Sequence, residues 1–339
     1  MKAYRIPQFG LDRLEIVETE TPIPGPNEVL VEVHAVSLNF RDLRVAEGKY
    51  DPRMRLPRQP CSDGAGEVVQ VGAGVSRFKN GDRVTSIFMQ NWIEGPLTAA
   101  KSRGALGGDV DGMLATHVAL SEEGLIPVPA HLTYAEAATL PCAAVTAWHA
   151  LVHAAAVKPG DTVLIQGTGG VSIFALQFAK LLGARVLGIS SSDEKIERAK
   201  ALGLDAAVNY RSYPDWARWA IEQTGGEGVD LVVEVGGQGT FNKSLKAVRV
   251  GGTVAQIGVL SAGEEQISVL PILHKQISVR GIYVGSRAMF EEMNRAIAQA
   301  RFRPVVDHVY SFEEVPLALR QMADGSHFGK IVIDTSRAD

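Results

Sequence analysis

One stretch limits the possible folds more than any other: TVLIQGTGGVSIFALQFAKLLGARV, residues 162–186. An apolar run of strand length is followed by Gly167, Gly169 and Gly170, and then by apolar residues at helical spacing. A chain that passes from strand to helix this abruptly must turn tightly, and glycine lets its backbone come close to whatever lies on the turn. The helix that begins there turns unpaired N–H groups and the positive end of its dipole toward the same point, which suits a pyrophosphate. Thr168 and Val171 complete the turn. Ser172 stands where the dinucleotide fingerprint usually has its third glycine, and its small side chain still permits close helix packing. The competing reading is that the glycines merely join a strand to a helix.

The surroundings favour the first reading. From about residue 130 strand and helix patterns alternate. Thr133 and Glu136 form a capping box ahead of an apolar-periodic stretch that runs past Pro141 to about Ala156. TVLIQ then leads to a helix ending at Leu182, ARVLGIS to a helix from Asp193 to Leu202, and VDLVVEV to a further helix, TVAQIGVL and SVRGIYVG. Continuous apolar strands alternating with helices predict an α/β domain of Rossmann type, a doubly wound parallel sheet covered on both faces.

The first 125 or so residues follow a different grammar. EVLVEVHAVSL (28–38), GAGEVVQVG (64–72) and FKNGDRVTSIF (78–88) are short β-type runs broken by Gly and Pro, expected to form an antiparallel, partly barrel-like domain. Residues 89–113 have no clear period and are expected as a surface loop or lobe. After Gly285 a helix (Ala288 to Arg301), RPVVDHVYSFEEV and KIVID carry no βαβ partner, so the tail is expected to fold back onto the first domain. The borders drawn are 1–127, 128–285 and 286–339.

Cofactor choice turns on the end of the second strand of the α/β domain, where a carboxylate usually meets the ribose hydroxyls of NAD. Here stand Ser190, Ser191 and Ser192. A 2'-phosphate is not repelled, and Lys195, Tyr210 and Arg211 could hold it through charge-assisted hydrogen bonds, so NADPH is expected. Against this, Ser191 and Glu194 form a capping box, Lys195 reads equally as a solvated helix residue, and Asp193 or Glu194 could reach the ribose instead.

Several function classes are disfavoured. The net charge is -4, with no basic run to meet phosphates or an anionic bilayer, so neither nucleic acid nor membrane is expected as a partner. The N-terminus lacks a secretory pattern and no apolar run approaches the roughly 20 residues that span a bilayer, so a cytoplasmic location is expected. Cys61 and Cys142 are the only cysteines, without the spacing of a disulfide or zinc framework. The histidines read as scattered structural groups, and no G-x-S-x-G elbow or Walker A pattern appears.

With these residues in view, the chain resembles the medium-chain dehydrogenase/reductase superfamily along essentially its whole length, and most of all its zinc-independent, quinone-oxidoreductase-like branch. SLNFRDL (37–43), SDGAGEVVQVG (62–72), GDRV (81–84), EAATLPCAAVTAWHAL (136–151), QGTGGVS (166–172), SSSDEKIERAKALG (190–203) and HFGKIVI (327–333) carry the likeness. It implies a GroES-like catalytic domain over 1–127, completed by the 286–339 return, with the active site in the cleft beside the cofactor domain. It also implies that Asn39, Thr146, Val259, Val284 and Phe328 border the nicotinamide end and that Lys195 and Tyr210 meet the 2'-phosphate; Gly258, Ser286 and Lys330 are further expected cofactor-binding residues. Family members often dimerise through the edges of their cofactor-domain sheets, and the exposed end of SVRGIYVG would serve a homodimer.

Where zinc-dependent relatives carry metal ligands, this chain has Asn39, Ser62 with Asp63, and Cys142. One thiolate cannot hold a catalytic zinc that needs about three protein ligands. Hydrogen-bond donors alone suit a delocalised enolate or hydroquinone anion better than a full alkoxide. Quinones and α,β-unsaturated carbonyls are therefore the expected small-molecule substrates, with Asn39, Arg41 and Tyr50 the candidate donors. For Arg41 a structural ion pair with Asp42 reads as well, and Tyr50 reads equally as a pocket wall. An alcohol dehydrogenase or carbonyl reductase on the same scaffold is the runner-up, and a cofactor-binding sensor with little turnover the third reading.

Overall fold

The computed structural model describes residues 1–261 and 266–338. The chain divides into two compact units, Met1–Val145 with Gly285–Asp339, and Thr146–Val284.

In the first unit, β1 (Lys2–Arg5) pairs antiparallel with β2 (Glu15–Glu18). The long β3 (Glu28–Ser37) leads into the short helix α1 (Phe40–Ala46) and pairs along its length with β4 (Asp63–Val71). On its other edge the first half of β3 takes β6 (His117–Ser121), while β5 (Arg83–Ser86) joins β4 to β7 (Leu125–Pro127). One strand serving different partners along one edge makes the sheet curl, and its concave side closes over Val29, Val31, Val84, Leu114 and Leu125. The 89–113 stretch is less superficial than expected. Met89, Trp92, Leu106 and Met113 are buried, while 94–100 and 109–111 are exposed, because Met89 bridges to Ala105 and draws part of the stretch into the core.

The capping box at Thr133 forms as expected, with the Thr133 N–H on Glu136 (2.8 Å) and the Glu136 N–H on Thr133 Oγ1 (3.2 Å), and starts α2 (Tyr134–Ala138). The helical run continues through a wide π turn at Leu140–Ala144, α3 (Val145–Trp148) and a second π turn at His149–Ala154. Pro141 sits at the start of the first wide turn, where its missing N–H leaves no helical bond unmade. Ala137 and Ala138 are buried and α2 packs on β3 and β4, so the division falls at Val145/Thr146, later than the 127/128 border expected from sequence.

The second unit is a six-stranded, all-parallel sheet in the order β10-β9-β8-β11-β12-β13. Its strands are β8 (Thr162–Gln166), β9 (Arg185–Ser190), β10 (Ala206–Asn209), β11 (Val229–Glu234), β12 (Val248–Gln256) and β13 (Ser278–Gly281). The connecting helices are α4 (Gly170–Leu181), α5 (Asp193–Ala201), α6 (Trp216–Gln223), α7 (Phe241–Ala247) and α8 (Leu270–His274). The order turns back at β8, which puts a topological switch point between β8 and β11. These two central strands are buried on both faces, as continuous apolar runs require, whereas all four residues of β13 are exposed. Only the first half of SVRGIYVG pairs with β12.

The tail belongs to the first unit. After α9 (Arg287–Ala300), β15 (Lys330–Asp334) pairs antiparallel with the end of β3. The expectation that this tail lacks a βαβ partner is corrected. β14 (Val306–Ser311), α10 (Val315–Asp324) and β15 form a parallel βαβ unit, held by the apolar face Val315, Ala318, Leu319 and Met322. No glycine-rich turn announces this crossover in the sequence, and Ser311 with Glu314 caps the turn before α10 instead.

Candidate functional site

In the second unit the Gly167 turn has the form that a pyrophosphate needs. Gly167 has φ +69°, its N–H bonds to the Ile189 carbonyl (2.7 Å), and a Cβ built on it meets nothing within 4 Å. Thr168 is buried, Gly169 precedes α4 in extended conformation, and the helix opens at Gly170 and Val171 with no capping side chain and no acidic residue in its first turn. Its leading N–H groups are left for an anion. Ser172 donates to the Gln166 carbonyl (2.6 Å), which ties the helix start to the strand end and accounts for serine in place of glycine.

At the end of β9, Ser190 is buried and its hydroxyl accepts the Ser192 N–H (3.3 Å). The helix cap is Ser192, accepting the Lys195 N–H (3.3 Å), one residue later than the Ser191 capping box read from sequence. Asp193 is held by Asn209 (2.9 Å). Tyr210 and Arg211 follow β10 with exposed side chains, and the Tyr210 N–H bonds to Ser190 (3.0 Å), so the structure brings Tyr210 to the serine cluster.

Sequence reasoning missed the other side of the switch point. Glu234, the last residue of β11, is fully buried and accepts from Gln166 Nε2 (2.8 Å), the N–H groups of Gly236 and Gly237 (2.8 Å each), the Thr240 hydroxyl (2.6 Å) and the Ser244 hydroxyl. An acidic residue ending an apolar strand just before two glycines was the available signal. Gly237 packs against Val259 and Gly258, where an added Cβ would lie 2.9 Å from Val259 Cα, and a Cβ on Gly258 would collide with the Val235 carbonyl. Val259 itself is highly exposed. Val284 is buried with φ +56°, a strained setting for a β-branched residue, and its carbonyl accepts from His149 Nδ1 (2.7 Å). The reading of histidines as scattered overlooked that His149 and His153 lie four residues apart, with ring centres 6.3 Å from each other. Thr146 is buried on α3.

In the first unit a buried polar cluster gathers at the junction of β3, β4 and β15. The Lys330 ammonium donates to the Leu38 carbonyl and to Asn39 Oδ1, both at 2.5 Å. Asn39 Nδ2 makes a long link to Ser62 Oγ (3.5 Å), Ser62 donates to Asp63 Oδ1 (2.6 Å), and Asp63 Oδ2 accepts the Cys142 N–H (3.0 Å). The chain of donors thus runs from a buried cation to a buried anion. Burial pushes the Asp63 carboxyl up, while Lys330 and the bonds from Ser62, Asn39 and Cys142 pull it back. Asp42 caps α1 through the Asn39 N–H (2.8 Å), and burial raises its carboxyl to about 6 against the pull of Arg41.

Arg41 donates to the Leu106 carbonyl (2.6 Å), lies 3.7 Å from Asp42 and places its guanidinium 4.9 Å from the ring centres of both Tyr50 and Phe88. The structure therefore joins Asn39 to Lys330, and Arg41 to Tyr50. Tyr50 is exposed, whereas Phe88, Met89 and Trp92 are core. Ser286 is buried and caps α9 through the Met289 N–H (3.3 Å), and Phe328 is buried.

These residues do not fit a zinc ion. An amide engaged by an ammonium, a hydroxyl engaged by a carboxylate and a thiol pushed well up by burial make a poor donor set. Among the described residues no group of three His, Cys, Asp or Glu side chains is placed to hold a metal. Among them, too, no helix is long and apolar enough to cross a membrane.

Comparison with known proteins agrees with the two-unit architecture. Residues 25–130 match the alcohol dehydrogenase GroES-like domain and residues 170–299 the family described as zinc-binding dehydrogenase. A zinc-type alcohol dehydrogenase-like protein of Schizosaccharomyces pombe is 42% identical, over 96% of either chain. A solved structure of a putative alcohol dehydrogenase from Sinorhizobium meliloti 1021 superposes with TM-score 0.92 at 40% identity, covering 98% of each chain. A 2-octenoyl-CoA carboxylase reductase, solved with NADP and 2-octenoyl-CoA, superposes with TM-score 0.87 at 28% identity, covering 97% of this chain and 83% of its own. Sequence, fold and likeness converge: the chain belongs to the medium-chain dehydrogenase/reductase superfamily and is an oxidoreductase working with a pyridine nucleotide.

Proposed function

We propose that the protein is a metal-independent, NADPH-dependent reductase of carbon–carbon double bonds activated by a carbonyl, or of quinones. The observation that carries this reading is the Lys330–Asn39–Ser62–Asp63 cluster, where a chain dependent on zinc would need ligands. NADPH, when bound, supplies the hydride. The open Gly167 turn and the bare start of α4, from Gly167 to Val171, would hold its pyrophosphate. Ser190 and Ser191, with Lys195, Tyr210 and Arg211, would receive the 2'-phosphate. Gly258, Val259, Thr146 and Val284, together with Ser286, Phe328 and Lys330, would serve the nicotinamide end.

The chain's own part in the reaction is to donate hydrogen bonds to the oxygen on which charge grows. Tyr50 supplies a phenol on a partly exposed side chain, with the Arg41 guanidinium beside it, and Asn39 is the neutral amide whose orientation Lys330 fixes. Such donors stabilise a delocalised enolate or hydroquinone anion, which is far less basic than an alkoxide. The solved relative that holds NADP and an enoyl thioester supports this substrate class.

The test is a panel of enones, enoyl thioesters, quinones, aldehydes and alcohols with NADPH and NADH, before and after dialysis against a strong chelator. Turnover of conjugated acceptors with NADPH, unchanged by the chelator, is expected. Loss of activity that zinc restores would refute the metal-independent reading. The alcohol dehydrogenase-like name of the 42% identical relative favours a second reading, reversible carbonyl reduction. Oxidation of alcohols with NADP+ at rates above enone reduction would establish it.

We propose a homodimer paired through β13. Its four residues are all exposed, and Val269, Leu270 and Leu273 just before it are apolar and more than half exposed. An uncovered edge strand beside apolar surface is a pairing surface.

A further inference from the structure

Glu234 is a buried carboxylate for which no cation partner exists among the described residues, and all of its compensation comes from neutral donors. Its two oxygens divide the work. Oε1 takes the Gly236 and Gly237 N–H groups and the Thr240 hydroxyl, and Oε2 takes Gln166 Nε2 and the Ser244 hydroxyl. Gln166 closes the circle by offering its own Oε1 to the N–H groups of Val235 (3.3 Å) and Gly236 (3.2 Å).

Gln166 ends β8 and Glu234 ends β11, the adjacent strands between which the sheet order turns back. In an open parallel sheet the crevice outside these strand ends is where a ligand lies. Burying a carboxylate costs several kcal/mol, and an apolar pair would join two strands more cheaply. What the carboxylate adds is direction: it holds two successive glycine N–H groups, and Gly237, at φ +90°, then packs directly on Val259 and Gly258 at the end of the next strand.

We infer that Glu234 and Gln166 form a carboxylate–amide clamp that fixes the Gly236–Gly237 turn as one wall of the nucleotide crevice, with Glu234 a positioning residue for the cofactor. The clamp rests on the reading that the dinucleotide lies on the Gly167 turn. It carries one negative charge and one amide NH2 between two side chains of equal length, and this makes it testable by exchange. In Glu234→Gln two amides face each other, and whichever way Gln166 turns, one N–H donor meets another or an acceptor is withdrawn from Gly236. In Glu234→Gln/Gln166→Glu the charge and the single amide are restored with their positions swapped. The amide now at position 234 still accepts from the two glycines through its carbonyl oxygen. The carboxylate now at position 166 accepts from the NH2 of that amide and from the Val235 and Gly236 N–H groups.

The experiment measures NADPH affinity by fluorescence titration, KM and kcat with an active acceptor, and amide hydrogen exchange across residues 235–241, all well below the melting temperature of each variant. Glu234→Gln should weaken NADPH binding and raise its KM about tenfold or more, with kcat at saturation within about threefold of wild type, as loss of a charge-assisted contact implies. Exchange at Gly236 and Gly237 should accelerate, and the swapped double variant should recover both. Unchanged exchange and affinity in Glu234→Gln overturn the clamp. So does a folded double variant that recovers neither, or a loss confined to kcat. If wild type binds neither dinucleotide, the cofactor reading fails instead, and the exchange data still decide whether the carboxylate holds the turn.

Discussion

Lys330→Met is the perturbation that most directly probes the first unit. Lys330 is 3% exposed and its ammonium makes two short bonds, to the Leu38 carbonyl and Asn39 Oδ1, while Asp63 is fully buried. Methionine fills similar volume but leaves both acceptors without a donor and Asp63 without its nearest compensating cation. Two hydrogen bonds from a charged donor are worth about 1.5–3 kcal/mol each, and losing the attraction by which Lys330 holds the Asp63 carboxyl down adds to that. About 4 kcal/mol is expected, which for a unit of this size lowers Tm by on the order of 10 °C.

The assay is denaturant and thermal unfolding followed by circular dichroism, with the double variant Lys330→Met/Asp63→Asn alongside. Removing the orphaned anion together with the cation should recover about half of the loss, the share due to the uncompensated carboxylate, while the Leu38 carbonyl and Asn39 Oδ1 stay without a donor. If Lys330→Met melts within about 2 °C of wild type, or the double variant is no more stable than the single one, the ammonium is not neutralising Asp63 and the charge argument against zinc at this position fails.

Three further outcomes are expected. Lys195→Glu should raise the KM for NADPH at least about tenfold while leaving NADH nearly unaffected, since a lost contact to the 2'-phosphate is worth roughly 1.4 kcal/mol or more. Equal weakening of both cofactors removes Lys195 from the phosphate site. The Asp42 carboxyl, held at about 6 when folded against 3.8 when free, keeps its proton longer in the folded chain. Its contribution should therefore be present below about pH 4 and be lost as pH rises toward 6, by about 3 kcal/mol, and Tm against pH in Asp42→Asn should lack that slope. If the proposed β13-paired dimer forms, Val279→Lys with Leu273→Lys should shift its light-scattering mass to that of a monomer without changing the Tm at low protein concentration, and a dimeric mass left unchanged refutes pairing through β13.

The parts of the protein that are legible in the sequence are those where one local pattern has one physical solution. The Gly167 turn, the buried runs of β8 and β11 and the Thr133–Glu136 box each follow from backbone geometry or hydrogen bonding within a few residues, and the folded chain realises them. The β14–α10–β15 crossover is not legible, because β14 lacks the continuous buried run of a parallel core strand and the sheet it joins is built on β3, nearly 300 residues earlier in the chain. The polar clusters divide in the same way. The resemblance groups Asn39 and Lys330 in one expected site, yet their direct bond, between residues 291 apart, follows from no local pattern. Glu234 and Gln166, 68 residues apart, become neighbours only when β8 and β11 pair in register. A buried charge costs too much to stand alone, so each such side chain implies partners somewhere in the fold. Once a parallel sheet is read from the sequence, the acidic residue ending VDLVVE can be placed at its switch point and assigned donors from the strand beside it. That step needs only the strand order and the cost of burying a carboxylate.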